Sequence, residues 1–189
     1  TVLAVPAGLA LTRYTFRGRE LINALFLSPL IIPHLVLGVA LLRLSSLVGA
    51  AGSFGFLLLA HALVVTPYVL RLVLASLVGF DRSIEQAALS LGASPWRSFV
   101  RITLPMILPG VSGGWLLAFI NSFDEVTLSI FVTSPSTVTL PVRMYMYATE
   151  SIDPLMAAVS ALMVGLTAVA MLVLDRLYGL DKVLVGGHR

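Results

Sequence analysis

Four long runs of apolar residues dominate this chain: Leu21 to about Leu44, Phe54 to about Val78, Met106 to about Phe131, and Pro154 to Leu174. Each is long enough to cross a bilayer, because about 30 Å of hydrocarbon takes roughly 20 helical residues. Residues 1–11 are as apolar but too short to cross, so the chain is expected to begin inside a span whose upstream half is missing. Thr1 to Pro6 shows neither an initiator Met nor the basic start of a signal peptide. Only 11% of the 189 residues are charged, against roughly 25% in a soluble domain, so the chain cannot cover a water-facing surface. The expected fold is all-α and integral to the membrane. It forms a single transmembrane domain over residues 1–189, with four complete helices and a partial N-terminal one. Pro29 and Pro33 should kink or break the first complete span. With no cysteine, disulfides and Cys-based metal sites are excluded.

The basic residues orient the chain. If each apolar run crosses once, the segments 13–20, 79–105 and 175–189 share one side, with Arg13, Arg17, Arg19, Arg82, Arg97, Arg101, Arg176, Lys182 and Arg189. The other side holds Arg143, with Arg43 near that surface. Lysine and arginine accumulate on the cytoplasmic side, which places the first set, and the C-terminus, in the cytoplasm. The polar stretch Thr133 to Asp153 would be an outer loop, and Glu150 and Asp153 would lie in it.

Residues 82–105 then form a cytoplasmic island between two spans. Ser83 followed three residues later by Gln86 reads as a capping box for a first short helix. Gly92 permits the positive φ that ends it. Ser94 and Pro95 open a second helix, which Pro105 is expected to stop. Two short helices around a glycine bend would make a knob parallel to the membrane. Ala87 and Ala88 allow close approach, and Leu89, Trp96, Phe99 and Val100 are apolar anchors of the type that carries interface energy. An ordinary amphipathic loop lying on lipid headgroups is the plainer alternative.

From Ala87-Ala88 three residues lead to Gly92, and nine more to Ile102-x-Leu104-Pro105. This spacing resembles the coupling motif of permease subunits of bacterial ABC importers: Glu-Ala-Ala, three residues, Gly, nine residues, Ile-x-Leu-Pro. The acid directly before the alanines is Gln86 here, and Glu85 comes one residue earlier. Arg13-Tyr-x-Phe-Arg-Gly18, Gly79-Phe-Asp81, Ser122-Phe-Asp-Glu125 and Thr139-Leu-Pro-Val-Arg143 look like the spermidine/putrescine branch of these permeases. The resemblance implies an importer-type permease fold in the bacterial inner membrane. It also implies a second homologous permease subunit, two cytoplasmic ATP-binding subunits and an extracytoplasmic substrate-binding protein. ATPase contact would fall to Glu85, Gln86, Ala87, Ala88, Gly92, Ile102, Leu104 and Pro105.

The chain itself has a single lysine, Lys182, and no Gly-rich loop leading into Lys-Ser or Lys-Thr, so it lacks the phosphate-binding loop that would hydrolyse ATP. The expectation is a non-catalytic subunit with no cofactor, no metal site and no nucleic-acid partner. Asp124 and Glu125 fall inside the third apolar run, where an ionised side chain costs about 2.5 kcal/mol or more and faces a cavity or a partner. With Asn121 and Ser122 they are the candidates for lining a substrate path. The substrate class expected is a small cation such as a polyamine. As adjacent helical residues the two acids would point about 100° apart, and structural retention by Arg43, Arg143 or backbone donors is the alternative. His34 and His61 are read as interhelical hydrogen-bonding groups. Gly110-x-x-x-Gly114 is a weak signal for close helix packing. An ion-coupled secondary transporter is the alternative function. It would need matching broken helices in two halves, and the Pro29/Pro33 segment has no clear counterpart. An intramembrane enzyme is disfavoured, since only Asp124 and Glu125 resemble catalytic groups at depth.

Overall fold

The computed structural model describes residues 1–150 and 154–178, and among these all regular structure is helical. Asp153, Lys182 and Arg189 lie outside the described residues. The first helix, α1 (Ala4–Arg13), is followed by α2 (Arg19–Leu27), a 3-10 turn at Ser28–Leu30 and α3 (His34–Leu47). The segments 19–30 and 34–47 meet at 104°. Pro33 explains the break: its ring removes a donor, and Pro33 itself is extended at φ −55°, ψ 132°. The expected first span is thus two short helices about a sharp corner.

The next helix, α4 (Phe54–Val78), matches the expected second span. Ser53 caps it by accepting a bond from the Phe56 N–H at 3.3 Å. Pro67 sits buried within it. After α5 (Arg82–Ser90) comes α6 (Pro95–Ser98), which runs without interruption through a π turn at Phe99–Thr103 into α7 (Leu104–Phe123). The combined helix Pro95–Phe123 has 29 residues and is apolar enough to cross a membrane.

Two expectations are corrected here. Pro105 does not stop the island's second helix, and the third membrane helix begins at Pro95 and ends at Phe123 rather than running from Met106 to Phe131. The physical reason is the π turn, in which the Leu104 N–H reaches back to the Phe99 carbonyl. That wider turn accommodates the missing donor of Pro105 without breaking the helix. The second helix of the expected knob is therefore the extension of the long apolar helix rather than a separate short element.

Beyond α7 lie α8 (Ser129–Val132), α9 (Leu140–Glu150) and α10 (Pro154–Tyr178). The expected outer loop thus contains an eleven-residue helix. Its Ser, Thr and Pro are concentrated before Leu140, and the helix formers after it. Among the described residues three helices are long and apolar enough to cross a membrane, or four if the bent pair counts as one span.

Two cores hold the bundle. One joins α1, α4 and α7 through Leu11, Leu70, Val73, Leu77 and Ile107, and the other joins α3, α4 and α8 through Leu41, Leu57, Val64, Leu128 and Val132. In lipid the hydrophobic effect does not drive helix against helix, so close packing must do so. The α4–α7 contact shows how. A Cβ built on Gly110 would collide with Ser76 Oγ and lie 2.6 Å from the Leu72 carbonyl oxygen, and one on Gly114 would lie 2.8 Å from Val69 Cα.

Candidate functional site

The island between α4 and α7 is built from local signals, one of which differs from expectation. Asp81 caps α5, with its Oδ1 accepting from the Ser83 N–H at 2.9 Å. Ser83 lies inside the helix, so the proposed capping box at Ser83 and Gln86 is corrected. A carboxylate is the stronger acceptor for an orphan amide at a positive helix end. The Ser83 N–H in turn holds the Asp81 carboxyl below its ordinary range. The other end is a Schellman close. Ala93 N–H bonds to the Ala88 carbonyl, Gly92 N–H to the Leu89 carbonyl, both at 3.0 Å, and Gly92 has φ 87°. Ser94 then caps α6 by accepting from the Arg97 N–H at 3.3 Å, with Pro95 in the first turn.

The resulting surface is apolar where water would otherwise be preferred. Leu91 at the bend is 89% exposed and Trp96 is 73% exposed, with the Trp96 and Phe99 rings 5.6 Å apart. Gln86, Ala87, Gly92 and Pro105 are exposed, while Ala88, Ile102 and Leu104 are half-buried. Glu85 stands apart from this surface. Its Oε2 meets Arg13 Nη2 at 2.6 Å, and Arg13 also donates to Thr103 Oγ1 at 3.1 Å. Nothing in the sequence distinguished Arg13 from its neighbouring basic residues; only the early position of the acid hinted at a partner elsewhere.

At the far end of α7 the two acids separate. They follow the last helical residue, Phe123, so the expectation that both lie within the helix is corrected. Asp124 caps the end with φ −97°, ψ 3°, and its side chain is exposed. It lines a groove of about 420 Å³ between α7 and α10, with Phe123, Met163 and Thr167. Glu125 is buried at 8% exposure. Its Oε1 accepts from the Leu128 N–H at 2.8 Å and its Oε2 lies 2.7 Å from His34 Nδ1. Backbone donation to Glu125 agrees with the structural alternative, but His34 takes the place expected for an arginine. Ser122 Oγ bonds His61 Nδ1 at 2.8 Å, and Ser129 Oγ bonds His61 Nε2 at 2.9 Å. Asn121 Nδ2 donates to the Leu117 carbonyl of its own helix at 2.8 Å. Of the four path candidates, Asp124 is the one whose charge faces open space. His34 and His61 bridge elements, as expected.

The aromatic rings of Trp115, Phe119 and Phe123 stack along α7 towards Asp124, with centroids 5.7 and 5.5 Å apart. Among the described residues no group of three His, Asp or Glu side chains comes together as a metal site.

Residues 3–180 match the family described as binding-protein-dependent transport system inner membrane component. The chain is 36% identical over 177 residues to the spermidine/putrescine transport system permease protein PotC of Haemophilus influenzae, covering 94% of this chain and 68% of PotC. It is 38% identical over 161 residues to the molybdenum transport system permease protein ModB of the same organism, covering 77% of this chain and 70% of ModB. A solved structure titled as inward-facing conformations of the MetNI methionine ABC transporter is similar with a TM-score of 0.73. That match has 21% identity over 96% of this chain and 86% of the other.

Proposed function

Because this chain belongs to the binding-protein-dependent transport system inner membrane component family, we propose that it forms half of the substrate path of an ATP-driven importer and receives ATPase motion through residues 85–105. In this reading it works with a second homologous permease subunit, two cytoplasmic ATP-binding subunits and an extracytoplasmic binding protein. The distribution of arginines supports a cytoplasmic island and a cytoplasmic C-terminus.

One observation carries the proposal. The exposed bend at Leu91 and Gly92 leads directly into a helix that continues unbroken from Pro95 to Phe123. A push on Trp96 therefore acts on the same rigid element that ends at Asp124. Large apolar side chains exposed in a polar segment mark an interaction surface, and Trp is the residue type most enriched at interface hot spots.

The substrate follows from charge chemistry, because the relatives carry names for unlike solutes. The carbonyl end of α7 bears partial negative charge, and the Asp124 carboxylate adds to it. Such a site attracts a cation and repels an anion. Phe123, the last of three stacked rings on α7, lines the same groove, and aromatic faces also favour cations. A small organic cation of the polyamine class fits both features, in keeping with the PotC relative.

The test is uptake by the reconstituted complex. Gly92→Val forces a β-branched side chain into positive φ and should abolish uptake while membrane insertion continues. Asp124→Asn should weaken uptake of labelled spermidine or putrescine, with the ATPase subunits still bound. Normal uptake by Gly92→Val would remove the coupling role of the island, and unchanged polyamine uptake by Asp124→Asn would remove the substrate role of that acid.

A further inference from the structure

The acid before the two alanines stands one position early, and the structure shows where that shift sends it. One residue turns a side chain about 100° around a helix. Gln86 is exposed, whereas the Glu85 carboxylate turns inward to Arg13 at the end of α1. The two side chains are only 12% and 18% exposed, and the Thr103 that shares the guanidinium is fully buried in the π turn.

This clasp matters because hydrophobic packing does not fasten α5. The helix contributes no buried residue, and its apolar Ile84 and Leu89 are exposed. Its backbone connections are the Gly79–Asp81 turn on one side and the Gly92 bend on the other, both of which can absorb a displacement. The Arg13–Glu85–Thr103 contacts bypass both turns. They join α5 to the last turn of α1 and to the π turn in one set of hydrogen bonds. A largely buried ion pair also resists separation, since parting it leaves an uncompensated charge. The other end of the path is firm: Leu11 of α1 packs into the same core as Val73 and Leu77 of α4.

Resting on the reading of 85–105 as the coupling segment, we infer that Arg13 is a positioning residue for transport. With Glu85 and Thr103 it conveys the motion of α5 to α1, and through α1 to α4, in parallel with the direct route along α7. Glu85 then serves inside the subunit rather than at the ATPase surface, which falls to Gln86, Ala87, Leu91 and Trp96. The early position of the acid is what this division of labour needs.

The experiment uses the full-length protein in its complex, reconstituted in vesicles, and measures two quantities: the ATPase subunits that copurify, and the ATP hydrolysed per solute taken up. Arg13→Gln and Glu85→Gln should each retain the ATPase subunits and raise the ATP consumed per solute about tenfold, within the usual range of site-to-site coupling. Arg13→Glu combined with Glu85→Arg should bring the ratio back towards wild type, because the pair re-forms and the Thr103 hydroxyl can donate to the new carboxylate. A merely structural contact would alter the yield of protein but not this ratio.

An unchanged ratio in both single variants overturns the inference. So does loss of the ATPase subunits from Glu85→Gln but not from Arg13→Gln, which would put Glu85 at the intersubunit contact. If the single variants do not accumulate, Arg13→Lys and Thr103→Val carry the test: each should raise the ratio by a smaller factor, and no rise in either overturns it. Failure here is distinguishable from failure of the coupling reading. Gly92→Val would then still abolish uptake while the clasp variants transported normally.

Discussion

His34 and Glu125 meet at 2.7 Å although 91 residues separate them, and each stands beside a break in a helix. His34 begins α3 just after the corner at Pro33, and Glu125 follows the end of α7. Glu125 also receives the Leu128 N–H, so one buried carboxylate holds the turn that leads into α8 and ties it to the start of α3. Asp124, next to it in sequence, is left to the groove.

This separation of adjacent acids predicts opposite phenotypes. Glu125→Ala orphans the Leu128 amide and the His34 ring, and a buried group left unpaired costs about 1–3 kcal/mol. Its thermal unfolding in detergent should shift down accordingly. Asp124→Asn removes no bond that the fold uses, and should unfold at the wild-type temperature while transporting poorly. Stability loss in Asp124→Asn with none in Glu125→Ala would reverse the two assignments.

The α4–α7 seam predicts a strong dependence on two glycines. Gly110→Ala sets a methyl against both Ser76 Oγ and the Leu72 carbonyl, and Gly114→Ala sets one against Val69 Cα. Backbone atoms of a packed helix cannot yield cheaply, so each change should destabilise by about 1–3 kcal/mol, the usual penalty of overpacking. Ser76→Ala should relieve Gly110→Ala only in part, because the Leu72 oxygen remains. Gly165→Ala in α10 is the control. A Cβ there meets nothing within 4 Å, and the better helix propensity of alanine should leave stability unchanged or raise it by up to about 1 kcal/mol. Equal unfolding temperatures for all three glycine variants would refute the packing argument.

These contrasts show which features a sequence discloses. The α4 span was legible because a long apolar run, carrying the single charge of Arg71 and bounded by Ser53 and Gly79, leaves no competing reading. Gly92 was legible for a similar reason, since a glycine after a short helix and before Ser-Pro has one common use. What could not be read was long-range. Arg13 looked like any other member of a basic loop, and its partner lies 72 residues away. The limits of α7 are hidden in the sequence because Pro105 looks like a stop and Asp124 like part of an apolar run. Only the π turn, which depends on tertiary packing around Thr103, lets the helix pass Pro105. The Asp81 cap is hidden because Ser83 offers a familiar pattern two residues later, and the competition between the two depends on where α4 ends.

That competition yields a prediction about pH. The Ser83 N–H lowers the Asp81 carboxyl from its ordinary value, so the folded island binds that proton less readily than the unfolded chain does. A depressed pKa gives stabilisation that is fully present above the unfolded value, about 3.9 for aspartate, and that is lost as pH falls through the lower folded value. The first turn of α5 should therefore stay capped across neutral and mildly acidic pH and loosen only below the ordinary aspartate range. The chemical shift and exchange rate of the Ser83 amide report this directly. In Asp81→Asn the neutral amide can still accept the bond, so the cap should persist but its low-pH transition should vanish. Asp81→Ala should speed exchange at Ser83 at every pH, and Ser83→Ala should leave the cap intact because the bond comes from its backbone. Faster exchange at residue 83 in Ser83→Ala than in Asp81→Ala would return the cap to the serine.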